Sequence, residues 1–230
     1  MSGLLASVKN LAEARLVLEA GADIVDLKNP AQGALGALPL DEVRAIVREL
    51  GGQRPLSATV GDLPMQPETV EQAVRDMAAT GVDYVKIGFF PGGDWSGVIQ
   101  ALTPQARQGK RLIAVLFGDD RPELRWVGEL AKAGFTGTML DTRDKTGGSL
   151  TRRCPPDYLE EFAATARELG LLCGLAGSLR RADIEVLLPL QPDYLGFRGA
   201  LCRRHDRTDA LDPAALEELR VLIAHAEVPL

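Results

Sequence analysis

Short apolar runs recur at regular intervals along the chain, and segments of mixed apolar and polar residues separate them. The runs are continuous rather than alternating, which is typical of strands in a parallel sheet that is covered on both faces. Eight strands are predicted, at Leu4–Val8, Asp23–Lys28, Pro55–Val60, Tyr84–Phe89, Arg111–Phe117, Thr136–Asp141, Leu171–Gly177 and Tyr194–Gly199.

A segment with helical periodicity follows each predicted strand, and most of these segments end at a glycine or near a proline. The helices are predicted at Leu11–Ala20, Leu40–Leu50, Glu68–Thr80, Trp95–Gln108, Pro122–Ala133, Pro156–Leu169, Arg180–Leu188 and Pro213–His225. Eight strand–helix units in 230 residues predict an α/β fold, a single-domain (β/α)8 TIM barrel over residues 1–230. A doubly wound open sheet is the alternative, but the first strand lacks the glycine-rich phosphate loop that such a sheet normally carries.

Composition argues against several classes of protein. The chain has 26 Lys and Arg against 32 Asp and Glu, so its net charge of −6 argues against nucleic acid as a partner. No apolar run approaches the roughly 18 residues of a membrane span, and we expect no signal peptide or membrane association. The three cysteines form no CxxC motif, which predicts a cytoplasmic protein without a metal or other cofactor. The sequence leaves homo-oligomer formation open.

Charged residues occur inside two of the apolar strands. Asp26 and Lys28 end the second strand, and residues two apart in a strand share a face. Lys86 lies within the fourth strand, although a buried lysine is rare unless it is paired or functional. Gly33 and Gly36 predict a flexible loop above the Asp26–Lys28 pair.

The predicted barrel places its active site at the carboxyl ends of the strands, where Asp141 and Lys145 also lie. A neighbouring cation lowers the pKa of a lysine and frees its amine to form a Schiff base with a carbonyl. The carboxylates could then transfer protons. We therefore predict a lyase-type catalytic site of Lys28, Lys86, Asp26, Asp141 and Lys145, with structural ion pairs as the alternative.

Glycines at the ends of strands seven and eight predict a phosphate site. Gly177-Ser178 and Arg198-Gly199 lie where backbone N–H groups commonly hold a phosphate in such barrels. Arg198 could add a charge-assisted hydrogen bond. A phosphorylated small molecule is therefore the predicted substrate class.

Other charged residues have two interpretations each. His205 lies in the charged segment Arg203–Arg207, which we expect to be a solvated loop rather than a second anion site. Asp119 and Asp120 either contact the substrate or cap the helix that is predicted to start at Pro122.

Four motifs resemble the (5-formylfuran-3-yl)methyl phosphate synthase family, and the similarity extends along the whole chain. They are Gly21–Pro30, Asp83–Gly88, Met139–Gly148 and Gly174–Leu179. The resemblance implies a class I aldolase-like barrel without a metal. It also implies that two molecules of glyceraldehyde 3-phosphate condense, with loss of phosphate and water, to the furan precursor of methanofuran, a one-carbon carrier.

The resemblance also implies the roles of individual residues. Lys28 would form the Schiff base, and Asp26, Lys86, Asp141 and Lys145 match the family's other catalytic positions. In the implied scheme an enamine on Lys28 adds to the aldehyde of the second triose phosphate, and phosphate elimination, ring closure and dehydration follow.

Two other functions stay open from the sequence. One is a different phosphosugar lyase, isomerase or decarboxylase on the same barrel, because some decarboxylases also use an Asp-x-Lys strand end without a covalent lysine. The other is a protein that binds a phosphorylated metabolite without turning it over.

Overall fold

The apolar runs form eight parallel strands in the computed structural model, which describes residues 2–225. The strands are β1 (Gly3–Val8), β2 (Ile24–Leu27), β3 (Leu56–Thr59), β4 (Tyr84–Phe89), β5 (Leu112–Phe117), β6 (Gly137–Asp141), β7 (Leu172–Leu175) and β8 (Tyr194–Phe197). Each strand pairs with the next, and β8 pairs with β1, so the sheet closes into a barrel. The predicted (β/α)8 fold is confirmed, and the open sheet is excluded.

The helices cover the outside of the barrel. They are α1 (Leu11–Glu19), α2 (Leu40–Leu50), α3 (Pro67–Ala78), α4 (Trp95–Arg107), α5 (Arg125–Ala133), α6 (Leu150–Arg153), α7 (Pro156–Glu168), α8 (Arg181–Leu187) and α9 (Pro213–His225). The helix that was predicted to start at Pro122 starts at Arg125, because Gly118–Asp120 form a 3-10 turn and Arg121 takes a left-handed φ of 45°. The four-residue α6, in the segment between β6 and α7, was not predicted.

The loop between β2 and α2 folds over one side of the barrel mouth. Its Leu35 is fully buried beside Phe117, and Asp62 accepts hydrogen bonds from the backbone N–H groups of Ala34 (2.8 Å) and Leu35 (2.7 Å). Thr59 Oγ1 donates to a carbonyl of the same loop at 3.0 Å. These bonds and the burial of Leu35 anchor the second half of the loop, and its flexibility stays a prediction.

Two further features bear on the classes of function. Within residues 2–225, no helix is long and apolar enough to cross a membrane. In the same part of the chain, no group of three or more His, Cys, Asp and Glu side chains is arranged to hold a metal ion.

Candidate active site

The barrel interior contains a buried carboxylate, Asp26. The strand register places it between Ser7 of β1 and Ser57 of β3. Ser7 Oγ donates to Asp26 Oδ2 at 2.9 Å, while Ser57 Oγ (2.6 Å) and Lys86 Nζ (3.0 Å) donate to Oδ1. Burial raises the pKa of Asp26, but the charges of Lys86 and Lys28 and the hydrogen bond from Ser57 outweigh it, so that the pKa lies below its ordinary value.

A second carboxylate–ammonium pair lies at the end of β6. Lys145 Nζ donates to Asp141 Oδ1 at 2.5 Å, and the same oxygen accepts the backbone N–H of Thr142 at 2.7 Å. Burial raises the pKa of Asp141, but the charges of Lys145 and Lys28 exceed that effect and the pKa is lowered. Both carboxylates of the site are therefore ionised at neutral pH.

Lys28 lies between these two pairs and belongs to neither. It follows β2 directly, and its side chain is buried. Among the described residues its ammonium group makes no hydrogen bond and no ion pair. Burial lowers the pKa of Lys28, the two carboxylates raise it, and the neighbouring Lys86 and Lys145 lower it again, which gives a pKa of about 8 instead of 10.5. A substantial fraction of this amine is neutral near physiological pH.

A cavity in the barrel mouth, which we call the inner cavity, exposes these groups to small molecules. Its wall contains Lys28, Lys86, Asp141 and Lys145, but not Asp26, which is covered by its hydrogen-bond donors. The other polar side chains and loop glycines of the wall are Ser7, Gly177, Ser178, Arg180, Arg198, Gly199, His205 and Arg207. The structure therefore brings together all five residues that the sequence predicted to be catalytic.

The backbone at Gly177 and Ser178 has the form of an anion cradle. Gly177 has a φ of 111° and Ser178 a φ of 48°, and within residues 2–225 the N–H groups of positions 177–179 donate no hydrogen bond. A Cβ atom at Gly177 would lie only 2.7 Å from Thr142 N, so this position requires glycine. Successive free N–H groups of this kind form a concavity that binds anions.

The Arg198 side chain is bound to neighbouring groups of the protein. Its Nε donates to the carbonyl of Arg207 at 2.7 Å, and its Nη atoms donate to both carboxylate oxygens of Glu13 and to the carbonyls of Ser7 and Asp209. All five N–H donors are thus engaged. A hydrogen bond from the Arg198 side chain to a phosphate stays a prediction, and it would have to replace one of these bonds.

The charged segment after β8 is exposed, as predicted, but it also lines the inner cavity. His205 and Arg207 both belong to the wall, and His205 takes a left-handed φ of 59°. Sequence analysis did not anticipate this contact, because nothing in the sequence shows which way the segment turns after β8.

Asp119 and Asp120 hold the loop that carries Lys145. Asp119 accepts the backbone N–H groups of Arg143 and Asp144, both at 2.9 Å, and Asp120 accepts two hydrogen bonds from the Arg143 guanidinium, at 2.8 and 2.7 Å. Neither residue caps α5, which starts later in the chain. Both carboxylates therefore position the loop that carries Lys145.

Sequence analysis missed Ser57 as a partner of Asp26. The available signal was its polar hydroxyl inside the apolar third strand, two positions before Thr59.

The three cysteines are buried and form no disulfide bond. Burial raises the pKa of Cys154 and Cys202 to about 11 and that of Cys173 to about 12, which makes their thiols poor nucleophiles.

Comparison with known proteins gives a consistent set of relatives. Residues 4–220 match the model of a family described as 4-HFC-P synthase. A Methylorubrum extorquens protein is 46% identical, over 94% of this chain and 89% of its own length. Proteins named (5-formylfuran-3-yl)methyl phosphate synthase are 36% identical in Methanopyrus kandleri, over 89% of this chain and 91% of the relative, and 33% identical in Methanocaldococcus jannaschii, over 95% and 98%.

Solved structures share the architecture at low sequence identity. Phosphoribosyl anthranilate isomerase from Thermus thermophilus has a TM-score of 0.71 at 17% identity and covers 99% of this chain and 100% of its own. For 3-hexulose-6-phosphate synthase from Salmonella typhimurium the TM-score is 0.66 at 16% identity, with coverage of 96% and 99%. Similarity at this level shows the barrel fold alone.

Proposed function

The chain belongs to the 4-HFC-P synthase family, and on that premise we propose that it converts two molecules of glyceraldehyde 3-phosphate into (5-formylfuran-3-yl)methyl phosphate for methanofuran biosynthesis. The proposed chemistry is that of a lyase with a Schiff base on Lys28. One observation carries the mechanism: a buried amine without a partner, with a pKa of about 8, lies between two carboxylate–ammonium pairs.

The carbon skeleton in the relatives' name constrains the order of events. In a furan with a formyl group at carbon 5 and a phosphorylated methyl group at carbon 3, the new bond joins the middle carbon of one triose to a terminal carbon of the other. That terminal carbon is the one that has lost its phosphate. This connectivity excludes the step implied by the family resemblance, in which the enamine adds to the aldehyde carbon of the second triose phosphate. We therefore revise that step.

The revised scheme has five steps. One triose phosphate eliminates phosphate and becomes a three-carbon enol or enamine nucleophile. The other isomerises to the keto form and is attacked at its middle carbon. The ring then closes, and dehydration forms the furan. Two glyceraldehyde 3-phosphate molecules minus one phosphoric acid and two waters give the product, so the atoms balance.

The positions of the two ion pairs suggest different roles. Asp141 and Lys145 line the inner cavity, so they can take a proton from a substrate carbon and donate one to a leaving oxygen. Asp26 does not line it, and instead holds Lys86, which does. In our proposal Lys86 also keeps the pKa of Lys28 low through its charge.

Borohydride trapping with glyceraldehyde 3-phosphate tests the proposal. We expect a reduced adduct on the peptide that contains Lys28, together with a furan aldehyde absorbance when borohydride is omitted. Because the pKa of Lys28 is about 8, the trapping rate at low substrate should rise about tenfold per pH unit below that value and level off above it.

The other outcomes separate the alternatives. An adduct without furan would support Schiff-base formation by Lys28, as in an aldolase, but would contradict the proposed furan product. Absence of both would favour a decarboxylase-like enzyme or a metabolite-binding protein. A trapping rate that continues to rise to about pH 10 would contradict the lowered pKa, since an ordinary lysine titrates there.

The Asp119 carboxylate provides a test of how Lys145 is positioned. Asp119→Ala removes two hydrogen bonds from the Lys145 loop, and we expect furan formation to fall about tenfold or more while trapping on Lys28 is preserved. Glu123→Ala is a matched control, since within residues 2–225 the Glu123 carboxylate pairs only with the exposed Arg125. Equal losses of trapping and furan formation would indicate general misfolding instead.

A further inference from the structure

A second cavity, which we call the outer cavity, opens beside the inner one. It has a volume of about 350 Å³ and lies between the Lys145 loop and the start of α8. Lys145, Ser178 and Arg180 line both cavities, so the two share part of their walls. The rest of its wall has no part in the site described so far.

Two guanidinium groups of the outer cavity are unpaired. Arg152 and Arg180 both line it, and among the described residues neither guanidinium donates a hydrogen bond or forms an ion pair. Other exposed arginines nearby behave differently, since Arg181 pairs with Glu218 and Arg143 pairs with Asp120. Two free guanidinium groups on one concave wall favour an anionic ligand.

The single carboxylate of this wall does not cancel their charge. Asp183 is buried, and its oxygens accept hydrogen bonds from Ser149 Oγ at 2.9 Å, from Thr151 Oγ1, and from the backbone N–H of Arg180 at 2.6 Å. These bonds hold Asp183 within the protein. The surface that faces the outer cavity is therefore positively charged.

We propose that the outer cavity binds the phosphoryl group of the triose phosphate that loses it, while the 177–179 cradle binds the phosphate that is retained. This inference rests on the proposed function, in which two phosphorylated substrates require two anion sites. Arg152 lines the outer cavity but not the inner one, and both Arg152 and Arg180 are exposed, so phosphate released there can leave to solvent.

The elimination step fits this arrangement. The C–H bond at the middle carbon breaks and its proton goes to Asp141, its electron pair forms the carbon–carbon double bond, and the C–O bond to phosphate breaks with its electrons remaining on phosphate. Lys145 lines both cavities, so its ammonium can donate a hydrogen bond to the departing oxygen. Arg152 and Arg180 then hold the released anion.

The test compares the wild-type protein with the double variant Arg152→Ala/Arg180→Ala. Arg181→Ala serves as the control, because Arg181 is exposed and paired with Glu218. For the double variant we expect about tenfold weaker inhibition of furan formation by inorganic phosphate and a KM about tenfold higher. Trapping of the Lys28 adduct at saturating glyceraldehyde 3-phosphate should be unchanged in Arg152→Ala, since Arg152 does not line the inner cavity and that step precedes elimination.

A direct titration makes the result independent of turnover. Calorimetry with inorganic phosphate at low ionic strength should show a binding event that the double variant loses and the control retains. Unchanged phosphate affinity and unchanged KM in the double variant would overturn the outer site. If the wild-type protein forms neither adduct nor furan, the proposed function fails, and the calorimetric difference alone decides whether the outer cavity binds phosphate.

Discussion

Lys28→Met is expected to abolish furan formation and borohydride trapping, with a loss on the order of 10⁴-fold or more, because no other amine can replace a covalent nucleophile in the same place. The substitution keeps the length of the side chain but removes the amine. Product analysis and peptide mass spectrometry measure both losses. Lys132→Met is the control, since Lys132 is exposed and, in the part of the chain that the structure describes, pairs only with Glu129.

The same substitution should stabilise the fold at neutral pH. The pKa of Lys28 is about 8 in the folded protein against 10.5 ordinarily, so below pH 8 the folded state bears the cost of a buried ammonium. That cost is at most about 3 kcal/mol. The attraction to the two carboxylates is already part of that net shift, so we expect the free energy of unfolding to rise by up to about 3 kcal/mol.

The sign of the pH dependence follows from proton binding. Between pH 8 and 10.5 the unfolded state binds more protons at Lys28 than the folded state does, so the stability of the wild-type protein rises with pH there relative to Lys28→Met. Urea unfolding should show the advantage of the variant shrinking across this window. A variant that is several kcal/mol less stable at pH 7 would instead make Lys28 a structural cation.

The second large effect concerns the buried Asp26–Lys86 pair. Asp26→Asn leaves the Lys86 ammonium, which is 2% exposed, without the ion-pair partner that it has among the described residues, and Lys86→Met removes the cation that is bonded to the carboxylate. Each single variant should lose about 3 to 5 kcal/mol of stability, because an uncompensated charge stays buried. Furan formation should fall strongly in both.

The double variant separates stability from function. With both charges removed, Asp26→Asn/Lys86→Met should recover most of the stability, since the Asn side chain can still bond Ser7 and Ser57. Activity should stay lost, because the cation beside Lys28 is missing. Thermal or urea unfolding of all four proteins gives the coupling energy, and strictly additive single effects would contradict the pairing.

Much of the candidate site could be predicted because it depends on local spacing. Asp26 and Lys28 share a face by the two-residue period of a strand, and Lys145 follows Asp141 by four residues, within reach of an ion pair. The placement of Lys86 at the same mouth followed from the barrel rule. The catalytic role of these five residues stays a prediction until the variants are measured.

The contacts that could not be predicted share a different property, which is that the partners are distant in sequence. Arg198 is bonded to Glu13, 185 positions away, and Asp119 holds backbone N–H groups 24 and 25 positions away. Leu35 closes one side of the mouth only because Asp62, on another loop, binds its backbone. No periodicity in the sequence records such contacts.

The sequence by itself determined the alternation of strands and helices, the barrel and the charged strand ends. The reason is that the apolar residues of each element follow the pattern in which that element buries its side chains. Only the tertiary structure decided which charges meet. Closing the barrel brings β8 beside β1 and turns the loops after β6, β7 and β8 toward each other. That closure leaves Lys28 unpaired, binds Arg198 to Glu13, and opens a cationic cavity between Arg152 and Arg180.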